Sequence, residues 1–235
     1  MNNRNQGFTL VEIAIVLVII GLLLGGILKG QEMITQAKIK NVMADFSGIS
    51  AAYHGYQDRY RQIPGDDSGA NARWSLGIAA PAGTGAAFGN GVILSSYKSS
   101  TANEESRLFW LHLRQAGFVS GSGQNQPFNA LTGIIGVQTG DASTSGTVGP
   151  VLGADAAGTG GFSGLIMCSA NMPDKIAIAV DTQMDDGTRA TGTVRAQLQA
   201  APNPDVAKNG VAAAATSGDN YIENGTNTYM LCRAL

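Results

Sequence analysis

FTLVEIAIVLVIIGLLLGGIL, running from Phe8 to Leu28, is the stretch that decides the reading; its single charge is Glu12. About 20 apolar residues in helical form cross the hydrocarbon core of a bilayer. A cleaved secretory signal has a shorter apolar stretch with a small-x-small site behind it. No such site follows Leu24. The chain runs on into Lys29-Gly30-Gln31-Glu32-Met33-Ile34, which can extend a helix. The stretch therefore reads as a retained anchor. Glu12 is its odd residue, since a charge within an apolar helix costs about 2.5–3.5 kcal/mol on insertion scales. Its place near the helix start softens that cost. Two readings stand for it: a carboxylate reaching to the interface, or a residue kept for function.

Gly7-Phe8-Thr9-Leu10-Val11-Glu12, followed by the unbroken apolar run, resembles the cleavage and methylation signature of type IV pilins and type II secretion pseudopilins. The resemblance implies that a prepilin peptidase cuts between Gly7 and Phe8 and removes Met1–Gly7. The new amine on Phe8 would then be N-methylated, and Glu12 would serve subunit assembly. The implied partners are other pilin or pseudopilin subunits, the prepilin peptidase, and the inner membrane with its assembly platform. The implied location is the bacterial inner membrane, crossed once, with the head in the periplasm or on an extracellular filament. The chemistry agrees. After cleavage Phe8 carries a cationic amine, and a carboxylate in lipid needs a cationic partner, which an adjacent subunit can supply. Arg4 before the span and Lys29, Lys38 and Lys40 after it give no clear orientation by charge. Gly21-x-x-x-Gly25 and Gly26-x-x-x-Gly30 have the spacing of close helix contacts. Many similar pilins place a proline just after the apolar segment. Lys29 stands there in this chain, which favours a minor subunit or pseudopilin.

Further on, apolar residues recur at Val42, Phe46, Ile49, Tyr53, Tyr56, Tyr60 and Ile63, in alternating steps of four and three. That is one face of an α-helix, and Pro64-Gly65 stops it. A continuous helix from Phe8 to about Gln62 would be about 80 Å long at 1.5 Å per residue. The expected division is a leader at 1–7, a transmembrane helix half at 8–28, an exported amphipathic half at 29–64 and a globular head at 65–235.

The head has the composition of turns and long loops. The chain holds 32 glycines, and charged residues are only 14%, against about 25% in a typical soluble domain. The stretch from Pro64 to Gly91 reads as a long irregular connection. Thr101-Ala102-Asn103-Glu104 has the capping-box pattern and predicts a helix over 103–116, with Gly117 as its stop. Strands are expected at 134–137, 164–168, 175–181, 193–198 and 229–232. In 175–181, Ile176, Ile178 and Val180 alternate with alanines. A long packed helix followed by strands gives an α+β fold, a pilin-like helix on an antiparallel sheet head. No repeat of fixed period is visible.

Candidate chemistry is sparse. A formal charge of −2 gives no broad basic surface, so nucleic-acid binding is not indicated. Cys168 and Cys232 sit in no CxxC or Cys/His pattern, which argues against zinc. They read as one disulfide if the head is exported, or else as two buried thiols. The pairing also resembles the C-terminal disulfide region of many pilins. Asp181-x-x-x-Asp185-Asp186-Gly187 gathers three carboxylates at the end of an expected strand. Some related pseudopilins bind calcium in the head, and calcium takes hard oxygen ligands in such loops; a solvated turn is the simpler explanation of the cluster. Asp66-Asp67 is a weaker version of the same pattern. Gly158–Gly164 lacks the ending of a phosphate loop, and Asn224-Gly225-Thr226 is a short glycosylation-type match that carries no weight. His54 and His112 belong to no triad, so they read as structural and no catalytic residue is assigned. The expected function is assembly, not catalysis. The rival is a membrane-tethered module whose loop-rich head captures a ligand.

Overall fold

The computed structural model describes residues 9–83, 85–143, 148–153, 158–208 and 220–235. Its first element is the helix α1, Leu10–Tyr60, a single run of 51 residues. No proline interrupts it. It ends where Arg61 turns left-handed at φ 58°, its N–H still bonded to Gln57 O at 2.8 Å. The chain divides into two compact units, Met1–Lys38 and Ile39–Leu235. In the first, no described residue is buried. In the second, burial along α1 begins at Ile39 and continues at Val42, Phe46, Ile49, Ala52, Tyr53 and Tyr56. This is the expected stripe, with Tyr60 and Ile63 half-buried at its margin. Tyr56 is at once apolar filler and hydrogen-bond donor, its hydroxyl donating to Asp67 Oδ2 at 2.5 Å.

The head is α+β. Four antiparallel strands form one sheet in the order β1-β2-β4-β3. They are β1 Ile135–Thr139, β2 Leu165–Pro173, β3 Val194–Leu198 and β4 Thr228–Ala234. Alternation sorts their side chains onto two faces. Ile135, Val137, Met167, Val194, Ala196, Tyr229 and Leu231 join the core that includes α1. Ile166, Cys168, Met230 and Cys232 face the other way, under Tyr97, Val151 and Leu152. Both faces are thus covered, which is why β2 and β4 read as nearly unbroken apolar runs rather than as a half-polar alternation. A methyl group on Gly136 would collide with Tyr97 O, so this edge position of β1 requires glycine. β2 bulges between Ser169 and Met172, where Asn171 takes φ 61°.

Two expectations are corrected. Residues 175–181 are not a strand; they lie in the helix α4, Asp174–Met184. Buried Ile176, Ala177, Val180 and Asp181 follow helical spacing, and the alanines that looked like the small half of a strand alternation are strong helix formers. Asp174 pins the start of α4, its carboxylate accepting the N–H groups of Lys175, Asn224 and Gly225 at 2.6–2.8 Å. The Thr101–Glu104 capping box also does not form. The helix α3 spans Glu105–Gln115, with Glu104 at its N-cap and no side-chain cap bond. Asn103, left-handed at φ 65°, breaks the turn that the box needs. The far end of α3 behaves as expected. Gly117 takes φ 79°, and Phe118 N–H returns to Leu113 O at 3.0 Å, closing a Schellman turn. One short helix, α2 at Ala70–Trp74, lies within the stretch read as an irregular connection.

Candidate functional site

The start of α1 is built by two residues of the apolar stretch. Thr9 precedes the helix and Glu12 lies in its first turn. Glu12 Oε2 accepts the Thr9 N–H and the Thr9 hydroxyl, both at 2.8 Å, and the Glu12 N–H points back to Thr9 Oγ1 at 3.3 Å. This is a reciprocal capping box. It satisfies two N–H groups that a helix start leaves open, and it gives the carboxylate partners in its own chain. The Thr-x-x-Glu pattern that fails at 101–104 forms here. The signal was present in the sequence, directly ahead of an apolar run, and a reading centred on the charge of Glu12 passes over it. Gly7 and Phe8 lie outside the described residues. The large apolar side chains from Leu10 to Leu28 are all exposed. A side chain added at Gly21, Gly25, Gly26 or Gly30 would meet nothing within 4 Å.

The two cysteines are joined. Cys168 on β2 and Cys232 on β4 face each other across the ladder and form a disulfide. Both are fully buried, so the bond lies inside the core of the head.

Asp181, Asp185 and Asp186 come together at the C-terminal end of α4, not at a strand end. One oxygen from each lies within 4.8 Å of the others. Asp181 is buried, Asp185 half-buried and Asp186 exposed. Tyr221 OH donates to Asp181 Oδ2 at 2.5 Å, Val194 N–H to Asp185 Oδ2 at 2.9 Å, and Thr188 N–H to Asp186 Oδ1 at 2.7 Å. Burial pushes Asp181 up to about 6; the Tyr221 hydrogen bond opposes the rise and the charges of Asp186 and Asp185 add to it. These are hard oxygen donors beside the negative end of a helix dipole, a set that fits a hard divalent cation such as calcium.

The histidines are structural in their contacts. His54 is exposed and rests against Tyr53, with ring centroids 5.1 Å apart. His112 is buried, its Nδ1 accepting the Gly65 N–H at 2.9 Å, and burial lowers it to about 4. Asn224 folds on itself in a turn, its Oδ1 accepting Thr226 N–H and Asn227 N–H at 2.9 Å. Asp66, Asp67 and Glu105 are buried carboxylates. Sequence reasoning gave the first two little weight and missed the third, because the partners of Asp66 and Glu105 are backbone N–H groups 11–25 positions away.

Residues 2–28 match the family model of the prokaryotic N-terminal methylation motif. This chain carries the signal motif of type IV pilins and pseudopilins. The motif is the substrate type of prepilin peptidase, and proteins of that motif family are structural. With α1 long and apolar enough to cross a membrane, motif and helix together describe a membrane-anchored protein. A comparison with curated proteins gives no match.

Proposed function

We propose that the chain is a processed structural subunit of a bacterial envelope filament, a minor pilin or a pseudopilin. A prepilin peptidase removes residues 1–7, the amine of Phe8 is methylated, and Glu12 is neutralised by the amine of an adjacent subunit. The carrying observation is the match of residues 2–28 to the methylation motif, laid directly onto an apolar helix whose first turn holds Glu12. The open glycine positions and exposed apolar sides of α1 support the reading, since small residues let helices approach closely in lipid. Mass spectrometry of the native protein is the test. The expected product begins at Phe8, bears a methyl group on that amine and lacks two hydrogens at the cysteines. A native product that retains Met1, or one without the apolar stretch, overturns the reading. Glu12→Ala is expected to block assembly while leaving the precursor in the membrane.

One observation favours the membrane-tethered binding module as a second reading. Among the described residues of the head, Phe128 is the large apolar side chain left exposed, at 67%. It stands at a cleft of 250 Å³ with Lys98, Arg107, Asn125 and Gln126. A native form that stays monomeric in the membrane would favour this reading. Calcium at Asp181, Asp185 and Asp186 is compatible with either. It is tested by melting the protein with calcium and with a chelator; coincident curves remove it.

A further inference from the structure

The head carries cations at one edge of its sheet and carboxylates at the other. At the outer side of β1, Ile135 N–H donates to Pro127 O at 2.9 Å, and Phe128 bridges to Ile134. This edge borders the cleft of Lys98, Arg107, Asn125, Phe128 and Ile134, and no carboxylate lines that cleft. The Arg107 guanidinium is fixed in place, Nη1 donating to Ser100 O and Nη2 to Asn125 Oδ1, both at 2.6 Å. It has no ion-pair partner among the described residues. A guanidinium held by neutral acceptors has further N–H groups to give to a carboxylate, and it loses little freedom on doing so. Lys98 Nζ lies 3.0 Å from Asp205 Oδ2, but the Asp205 side chain is 73% exposed, so that pair is weak. Phe128 stands exposed beside the two cations. Aromatic and arginine anchors of this kind dominate contacts between proteins. The opposite edge has the opposite sign. Along the outer side of β3, Val194 N–H donates to Asp185 Oδ2 and Ala196 N–H to Arg189 O, both at 2.9 Å, so residues 185–193 border that strand. Asp186 is exposed there, and so are Thr191, Gly192 and Thr193. Among the described residues neither Asp185 nor Asp186 has an ion-pair partner. Arg195, whose charge reaches Asp186, gives its Nη1 to Leu152 O and Gly160 O. One row of partners, Ile135, Ser169, Leu231 and Ala196, runs across the sheet between the two edges.

We propose that Lys98, Arg107 and Phe128 of one copy take up Asp185 and Asp186 of a second copy, head beside head. This rests on the reading of the chain as a filament subunit and adds to it a contact outside the apolar helix. Charge selects the occupant: two cation clefts brought together repel, and so do two acidic edges, whereas one of each attracts. Met184, half-buried just before Asp185, adds an apolar side chain to the acidic edge. Because two different surfaces meet, the contact is heterologous. A pair joined in this way still has a free cleft on one copy and a free acidic edge on the other, so it grows by repetition. That is the kind of contact a filament needs from its heads.

The experiment is thiol cross-linking of the full chain in its native envelope. Ser100→Cys lies in the cleft and Thr193→Cys on the acidic edge. The native cysteines are bonded to each other and buried, so only the introduced thiols react with a short bifunctional maleimide. A chelator is present throughout, so that no divalent cation screens the carboxylates. A chain with both substitutions is expected to give a ladder of dimers, trimers and larger species. Two chains with one substitution each, made together, are expected to stop at dimers. Asp186→Lys, and separately Arg107→Glu, are expected to lower the cross-linked fraction by at least about tenfold, and the two combined to restore it. If Arg107→Glu does not fold, Lys98→Glu takes its place in the swap. Monomers alone from the chain with both cysteines overturn the proposal, as does a ladder that Asp186→Lys leaves unchanged. Filaments seen by electron microscopy in a sample that gives only monomers show that the subunit reading survives that failure. Capture of the Ser100→Cys chain on a different protein, without a ladder, also overturns the second copy as occupant.

Discussion

At the scale of the residue, the most informative pair is Thr9 and Glu12. The cap bonds between them mean that Glu12 enters any assembly with donors already in place. Thr9→Ala removes the hydroxyl that takes part in two of them. Loss of an N-cap side chain costs about 0.5–2 kcal/mol, so exchange at the first helical amides of α1 is expected to speed up by roughly tenfold in micelles. Thr9→Ser, which keeps the hydroxyl, should behave as wild type. Equal rates in the two variants would show that the box does not hold the helix start. The buried titrating groups give a second expectation. Asp181 is raised to about 6, so its contribution is present below 3.8 and is lost as pH rises through about 6. His112 is lowered to about 4, so its contribution is present above 6.5 and is lost as pH falls through about 4. Asp181→Asn should therefore flatten the loss of unfolding free energy between pH 4 and pH 6 by roughly 1–3 kcal/mol, and His112→Asn should reduce the loss on the acid side. A pH profile of melting that neither variant alters would refute both assignments.

At the scale of the element, α1 was legible because its apolar positions keep step over many turns, and only one secondary structure explains so long a register. α4 was not legible. Ile176, Ile178 and Val180 satisfy a period of two, while buried Ile176, Ala177 and Val180 satisfy the helical period. Over seven residues the two templates are hard to separate, and the burial of Ile176, Ala177 and Val180 in the core, with Asp174 held by Asn224 and Gly225 at the start, goes with the helical one. The carboxylates of Asp66 and Glu105 were illegible for a related reason. Their acceptors are filled by backbone N–H groups 11–25 positions away, and backbone donors leave no mark in composition. Two substitutions probe these elements. Phe46→Ala opens the stripe of α1 where it is 2% exposed, at an expected cost of about 3–5 kcal/mol in head stability. Replacing both Cys168 and Cys232 by alanine removes the link between β2 and β4, at an expected cost of about 2–5 kcal/mol. Denaturant melts of the purified variants read both, and midpoints equal to wild type would show that neither group carries the head.

At the scale of the whole molecule, two kinds of surface are present in one chain. Residues 9–38 include no buried position, whereas the head from Ile39 onward encloses an extensive core. The first surface is the one that the methylation motif marks, and the sequence alone conveys it through length and composition. The second depends on strand order, which no local pattern encodes. β4 is the last of the described strands in the chain, yet it lies between β2 and β3. Those two strands have no ladder with each other, and each pairs with residues 228–234. A chain made from its N-terminus therefore cannot complete this sheet before its last described strand exists. Until residues 228–234 are made, β2 has only β1 beside it and β3 has no ladder partner among the described strands.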